Sequence, residues 1–281
     1  LLTSSTQATD ANPYGSSKKR AEMAALKLAQ DTGNPVSIFR LPNVFGKWCK
    51  PNYNSVVATF CHHIAHHLPI QISDASRPLQ LVYIDDVVNA LINNLLSPDT
   101  GIEWPEVKPV YPITLGALAE QIKQFSQDRQ QLLADRTGVG FTRALYATYV
   151  SYLPKEEFTY SIPSHRDERG TFVEMLKTRD SGQFSFLTAG PGVTRGGHYH
   201  HTKIEKFLVI KGSARFGFKH ILTNETFELS CSDQAYQIVE TIPGWAHDIT
   251  NIGDDDLIVM LWTNEVFDPH KPDTISMKAS S

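Results

Sequence analysis

Cysteine is scarce: Cys49, Cys61 and Cys231 are the only three in 281 residues. Far apart and odd in number, they argue against a disulfide framework or a thiolate zinc site and point to a reducing, cytoplasmic setting. Long hydrophobic runs are missing as well. No stretch approaches the ~20 apolar residues of a membrane-spanning helix. The opening LLTSSTQATD has no basic region ahead of an apolar run, as a signal peptide would. Neither sign of charge dominates: 26 Lys and Arg against 30 Asp and Glu give −4, without a block of like charge. There is thus no electrostatic case for nucleic acid or an anionic membrane, and a small molecule is the expected partner. Two further absences matter. The chain does not begin with Met and is read as a piece of a longer one. It also holds neither G-x-G-x-x-G nor G-x-x-G-x-x-G, the turns that cradle a dinucleotide pyrophosphate at a helix N-terminus.

What is present is ordinary globular composition, 41% hydrophobic and 20% charged, in a length that suits about two domains. Up to about residue 125, short β-rich runs alternate with helical ones, the α/β signature. A strand through Leu1 and Leu2 leads to the helix YGSSKKRAEMAALKLAQDTG, stopped by Gly33. PVSIFRLPNVFG reads as a buried strand and its exit loop, SVVATFCHHIAHHL as a helix and IQI as a short strand. LQLVYIDDVVNALINNLL reads as a strand passing into a helix that Asp85 and Asp86 are expected to cap. YPITLGALAEQIKQF adds a strand and a helix, and 126–157 reads as a helical connector. From about Phe158, short alternating runs such as FSFLTA, EKFLVIKG and LIVMLW are separated by Gly, Pro, Asn and Asp, the texture of an all-β sandwich or barrel. The expected division is 1–155, α/β, and 156–281, all-β.

The strongest motif is GVTRGGHYHHTKIEKFLVIKG, from Gly192 to Gly212. Alternate side chains of a strand share a face, so His198 and His200 point one way and Tyr199 the other. Glu205, across the turn, completes three ligands. In IPGWAHDITN, Pro243 and Gly244 make a turn that delivers His247 on an adjacent strand. Imidazole with carboxylate suits Zn, Fe, Mn, Ni or Co, and Zn leads the expectation. His201 breaks the alternation and reads as a surface residue. Trp245, beside His247, is expected to line the pocket, whereas Trp48, Trp104 and Trp262 read as packing residues. These two half-motifs resemble those of the cupin superfamily, with PGWAH one residue shorter than the usual second one.

In the first half, Tyr14 and Lys18 form Y-G-S-S-K at a helix start, and Ser4, Ser5 and Thr6 follow the preceding strand. A Tyr and a Lys at i and i+4 share one helix face, and an ammonium there favours the phenolate. Such a Tyr can exchange a proton with a carbinol or carbonyl oxygen that a nearby hydroxyl holds. HHIAHH, from His62 to His67, pairs histidines at i and i+4 but finds no third ligand and reads as a solvated face. With RLPNVFG (40–46) and RPLQLVYIDDVVNAL (77–91) in the same order, this half resembles the extended short-chain dehydrogenase/reductases acting on nucleotide sugars. The resemblance implies that Tyr14 is the acid/base, that Lys18 binds the nicotinamide ribose and that Ser5, or else Ser4 or Thr6, orients the substrate. Asn43 and Arg77 would face the sugar nucleotide. It also implies that about the first third of such a reductase is missing here, so that this chain alone would bind NAD(P)H poorly.

A reductase portion joined to a metal cupin is similar to the CapF-type bifunctional enzymes of bacterial capsular polysaccharide synthesis. NPYGSSK, HRDERGTFVEM and NEVFDPHKPDT extend the similarity along the chain. It implies a cupin that epimerises C3 of a UDP-4-keto-6-deoxy-N-acetylhexosamine and a reductase that reduces the C4 ketone with NADPH, toward UDP-N-acetyl-L-fucosamine. His165, with Asp167 nearby, is a candidate base, and a homodimer is expected by analogy. The metal is catalytic or structural on these residues alone. A metal-dependent cupin dioxygenase or isomerase, and a non-catalytic sugar-nucleotide-binding assembly module, stand as alternatives.

Overall fold

A short strand, β1 (Leu2–Ser5), opens the chain in the computed structural model, which describes residues 1–97 and 101–279. It is followed by α1 (Pro13–Thr32), β2 (Val36–Leu41), β3 (Asn43–Phe45), α2 (Val56–Ala65), β4 (Pro78–Tyr83) and α3 (Ile84–Leu96). Next come β5 (Ile102–Glu103), β6 (Tyr111–Thr114), α4 (Leu115–Gln130), β7 (Leu133–Ala134) and α5 (Gly140–Val150). After a 3-10 turn at Lys155–Phe158 the remaining elements are strands: β8 (Ser164–Asp167), β9 (Gly170–Thr178), β10 (Gln183–Ala189), β11 (Thr194–Tyr199), β12 (Glu205–Lys211) and β13 (Ser213–His220). The last are β14 (Thr226–Ser232), β15 (Ile238–Thr241), β16 (Trp245–Asn251), β17 (Leu257–Thr263) and β18 (Ile275–Ser276). Two compact units result. One is Leu1–Gln127 with Arg136–Thr159, the other Asp128–Asp135 with Tyr160–Ser281. The connector is therefore not all helix, because Leu133 and Ala134 pair in parallel with Lys177 and Thr178 of β9. Among the described residues, no helix is long and apolar enough to cross a membrane.

In the first unit β1, β2 and β5 form a parallel sheet, and β3, β4 and β6 a mixed one. Asn12 caps α1, its side chain accepting from the Gly15 N–H at 2.7 Å, with Pro13 next and Gly33 closing the helix at φ 71°. Gly15 is obligatory for packing: a Cβ there would lie 2.2 Å from the Gln7 carbonyl oxygen. The core joins Phe45, Leu118, Ile122, Phe125, Leu145 and Tyr149 from β3, α4 and α5.

Three local expectations are corrected. IQI is not a strand. Asp85 and Asp86 do not cap α3: the cap position is Tyr83, without a side-chain bond, and the two acids sit in the first turn, where Asp85 pairs with Lys47 at 2.9 Å. The histidine run is not a solvated helix face, since α2 ends at Ala65 and the rings of His62, His63 and His66 are half-buried. His63 bridges the Pro69 carbonyl and Asn52, both at 2.9 Å. Trp48 also departs from expectation: it is 87% exposed at positive φ and packs little.

On the buried face of α1, Glu22 receives Arg40 in a two-pronged pair at 2.9 and 2.8 Å and the Ser4 hydroxyl at 2.6 Å. The Arg40 bonds hold its carboxyl below the ordinary range against the opposing effect of burial. Its stabilisation is thus full above the unfolded value, ~4.3, and fades as pH falls through the lower folded one. Breaking a fully buried pair costs ~3–5 kcal/mol. Arg40 is 39% exposed and water screens it, so Glu22→Gln is expected to cost ~1–3 kcal/mol at neutral pH, less at pH ~3. Urea unfolding at both pH values measures this.

The second unit is a barrel of two antiparallel-built sheets. One runs β15-β12-β17-β10-β9-β7 with β8 on β9, and the other β14-β13-β16-β11-β18. Strict alternation of burial in β10 and β17 turns Leu187, Ala189, Val259 and Leu261 inward, onto Phe207, Phe216 and Ile249. That apolar floor leaves the other end of the barrel to polar residues.

Candidate functional site

Two cavities hold most of the residues singled out above. The larger-stakes one, ≈ 450 Å³, opens inside the barrel, with His198, His200, Glu205 and His247 in its wall. The backbone explains their convergence. His198 lies directly opposite His247 in the β11–β16 pairing, one residue past a bulge at Gly196–Gly197. Both glycines have positive φ, 89° and 77°, and a Cβ on Gly196 would lie 2.9 Å from the His247 carbonyl oxygen. His200 directly follows β11, and a short loop brings the chain back to Glu205, the first residue of β12. The Gly244 turn is tied to the same place by its N–H, 2.9 Å from the His200 carbonyl oxygen.

The four side chains offer ligand atoms within 4.8 Å of one another, and His200, Glu205 and His247 are buried. Glu205 Oε2 lies 2.9 Å from His247 Nε2 and 3.2 Å from His200 Nε2. Ligand atoms that share one ion at ~2.0–2.2 Å lie about 2.8–3.6 Å apart, a range that the two Glu205 distances meet. Protonation fits too. Burial, then the neighbouring His247, pushes His198 down to about 4, leaving a neutral imidazole. Burial alone would raise Glu205, but hydrogen bonds from His200 and His247 outweigh it and keep the carboxylate ionised. Three imidazoles and a carboxylate form a donor set suited to zinc and its neighbours.

Sequence reasoning missed Arg169, Arg195 and Lys203, three cationic side chains that line the same cavity along with Glu174. Lys203 is buried, its Nζ 3.3 Å from Thr274 Oγ1. Its one sequence signal was a lysine two places before Glu205. His165 lines the cavity, but Asp167 does not serve it; that carboxylate is held by Arg169. Trp245 lies outside the lining. It starts β16 where the β13–β14 hairpin ends, and packs on His220 and Phe227 at 5.0 and 5.6 Å between ring centroids. His201 is exposed.

The second cavity, ≈ 530 Å³, gathers Ser5, Tyr14, Lys18 and Asn43 at the end of β1, the start of α1 and the start of β3. Lys18 Nζ lies 5.7 Å from the centre of the Tyr14 ring and 3.4 Å from the Thr3 carbonyl oxygen. The three hydroxyls differ in their surroundings: Ser4 lines the cavity but donates to Glu22, and Thr6 is exposed outside the lining. Ser5, whose Oγ accepts from the Gln7 N–H at 3.2 Å, keeps its own proton to give. Arg77 is not in this wall; it lies exposed in the turn before β4.

Residues 2–106 match the NAD dependent epimerase/dehydratase family, and residues 165–275 the polysaccharide biosynthesis C-terminal domain. A UDP-2-acetamido-2,6-beta-L-arabino-hexul-4-ose reductase of Pseudomonas aeruginosa is 58% identical over 98% of this chain and 74% of its own length. The crystal structure of the capsular polysaccharide assembling protein CapF of Staphylococcus aureus superposes with a TM-score of 0.93 at 42% identity, over 99% of this chain and 76% of that one. A structure of CapF with the inhibitor 3-isopropenyl-tropolone gives 0.85 at 40% identity, over 92% and 75%. With that identity over that length, the chain belongs to the family of the CapF-like capsular polysaccharide proteins and UDP-sugar reductases.

Proposed function

We propose that this chain acts on a UDP-linked 4-keto-6-deoxy-N-acetylhexosamine in capsular polysaccharide synthesis, with a cupin barrel that epimerises C3 and a reductase portion that reduces the C4 ketone with NADPH, toward UDP-N-acetyl-L-fucosamine. The observation that carries it is the gathering of His198, His200, Glu205 and His247 in the wall of a cavity that also exposes arginine and lysine. Those cations suit an anionic, diphosphate-bearing substrate. A divalent ion on the four ligands, zinc foremost, would supply Lewis acidity to the C4 carbonyl and so loosen the C3 proton. Lys203 and His165 are the candidates to take and return that proton. For the reduction, NADPH would supply the hydride, and the other cavity holds the residues to serve it. There Tyr14 gives the C4 oxygen its proton, Ser5 hydrogen-bonds that oxygen, Lys18 holds the nicotinamide ribose and Asn43 meets the sugar nucleotide. Arg77 has no part in this assignment. The protein would work in the cytoplasm, as a homodimer.

The test is NMR of the 4-keto sugar nucleotide in deuterated buffer with the metal-loaded chain. Deuterium is expected at C3 without NADPH, and loss of the ketone only at NADPH concentrations high enough to offset the weak binding expected of a chain without the Gly-rich turns. Protium retained at C3 would overturn the epimerase assignment, and Fe(II)-dependent oxygen uptake would replace it with a dioxygenase.

A further inference from the structure

Asp273 lies in the segment after β17, more than a barrel strand away in sequence from the ligand cluster, yet it is bonded to the cluster's loop from both its side chain and its main chain. Its carboxylate accepts three consecutive backbone N–H groups: His201 at 2.9 Å, Thr202 at 2.6 Å and Lys203 at 2.9 Å. The Thr202 hydroxyl adds a fourth bond at 2.9 Å. These residues are the loop that spans His200 to Glu205. The Asp273 carbonyl oxygen, meanwhile, accepts the Nδ1–H of His200. Two and three residues further on, β18 pairs Ile275 with Tyr199 and Ser276 with His198, and the Met277 N–H reaches the Gly197 carbonyl oxygen at 2.9 Å.

One stretch of chain therefore grips the backbone on both sides of His198 and His200 and the turn leading to Glu205. The contact to the ring has a chemical consequence. A carbonyl oxygen only accepts, so Nδ1 of His200 must carry a proton, and Nε2, 3.2 Å from Glu205 Oε2, is the nitrogen placed to face an ion. His247 has no such support: its Nδ1 has no hydrogen-bond partner among the described residues.

We propose that Asp273 is a positioning residue of the metal centre, its carboxylate shaping the 201–203 loop so that its carbonyl fixes the tautomer and aim of His200. The proposal rests on the metal-centre reading above. The competing possibility is that Asp273 only staples a loop. Asp233 is the matched control, because it too accepts a loop N–H, that of Gly212 at 2.9 Å, but outside the cavity wall.

The experiment uses the full chain freed of metal by chelation and titrated with Co(II), with Zn(II) affinity measured by competition against a chromophoric chelator. Outer-shell partners of metal-bound histidine are worth about 10–100-fold in affinity. Asp273→Ala is expected to bind Zn(II) ~10–100-fold more weakly than the unaltered chain, with altered Co(II) absorption bands. Asp273→Asn, which keeps one acceptor oxygen, is expected to lie between, and Asp233→Asn to match the unaltered chain. Circular dichroism confirms folding, and if Asp273→Ala does not fold, Asp273→Asn is read in its place. Unchanged affinity and spectrum in the folded variant would overturn the proposal, as would an equal loss in Asp233→Asn. Failure of the unaltered chain to bind either metal would instead sink the metal-centre reading, and this inference with it.

Discussion

Glu205→Gln is expected to remove the metal from the barrel. The side chain keeps its size, but the cluster loses its one anion, the group that faces both His200 Nε2 and His247 Nε2. Tightly held zinc is worth ~10–16 kcal/mol near neutral pH, so each of four ligands carries ~3 kcal/mol, above a hundredfold in affinity. The loss is expected to reach at least that, because Glu205 is the one anion among the four ligands and is buried. Elemental analysis after dialysis should find about one ion in the unaltered chain and almost none in the variant, with deuterium exchange at C3 abolished. An affinity within tenfold of the unaltered chain would show that the four residues are not the metal centre. His198→Ala provides an independent check, since His198 is the least buried of the four and its removal disturbs packing least.

Tyr14→Phe is the second large effect, confined to the other cavity. The phenol sits at the mouth of a polar cavity, 49% exposed, with Lys18 on the same helix face and Ser5 at the strand end beside it. Removing a positioned proton donor costs ~10²–10⁴ in rate. Ketone reduction at saturating NADPH is expected to fall by that factor, while exchange at C3 is unchanged, because Tyr14 and Glu205 belong to different compact units. Loss of both reactions, or of neither, would refute the division of labour. The ring stays in place in Phe, so the variant also separates chemistry from packing.

Much of this site was legible in the residues. The period of two in HYH set His198 and His200 on one face, and the Pro-Gly turn before His247 announced the partner strand. Asn12, Pro13 and Gly33 bounded the helix that carries Tyr14 and Lys18, since capping depends on residues within one turn of each other. Where the reading failed, the deciding contact was distant. Leu133 and Ala134 are strand only because β9 lies alongside them, 44 positions on in the parallel register. IQI has the composition of a strand but no neighbour to pair with. Asp85 was turned from cap to ion pair by Lys47, and Trp245 from pocket to packing by His220 and Phe227.

The amino-acid order by itself thus determined the two textures, the shared face of the candidate ligands His198 and His200, and the Tyr–Lys pair, because each rests on the repeat of a helix or a strand. Only the tertiary structure decided that the Ser4 proton is engaged and the Ser5 proton is not, since Ser4 donates to Glu22 of α1, which Arg40 of β2 also grips. The same holds for what lies behind the ligands. The bonds from Asp273 to the loop around His201 join residues some seventy positions apart, and no local pattern can encode a contact that exists only once the barrel has closed.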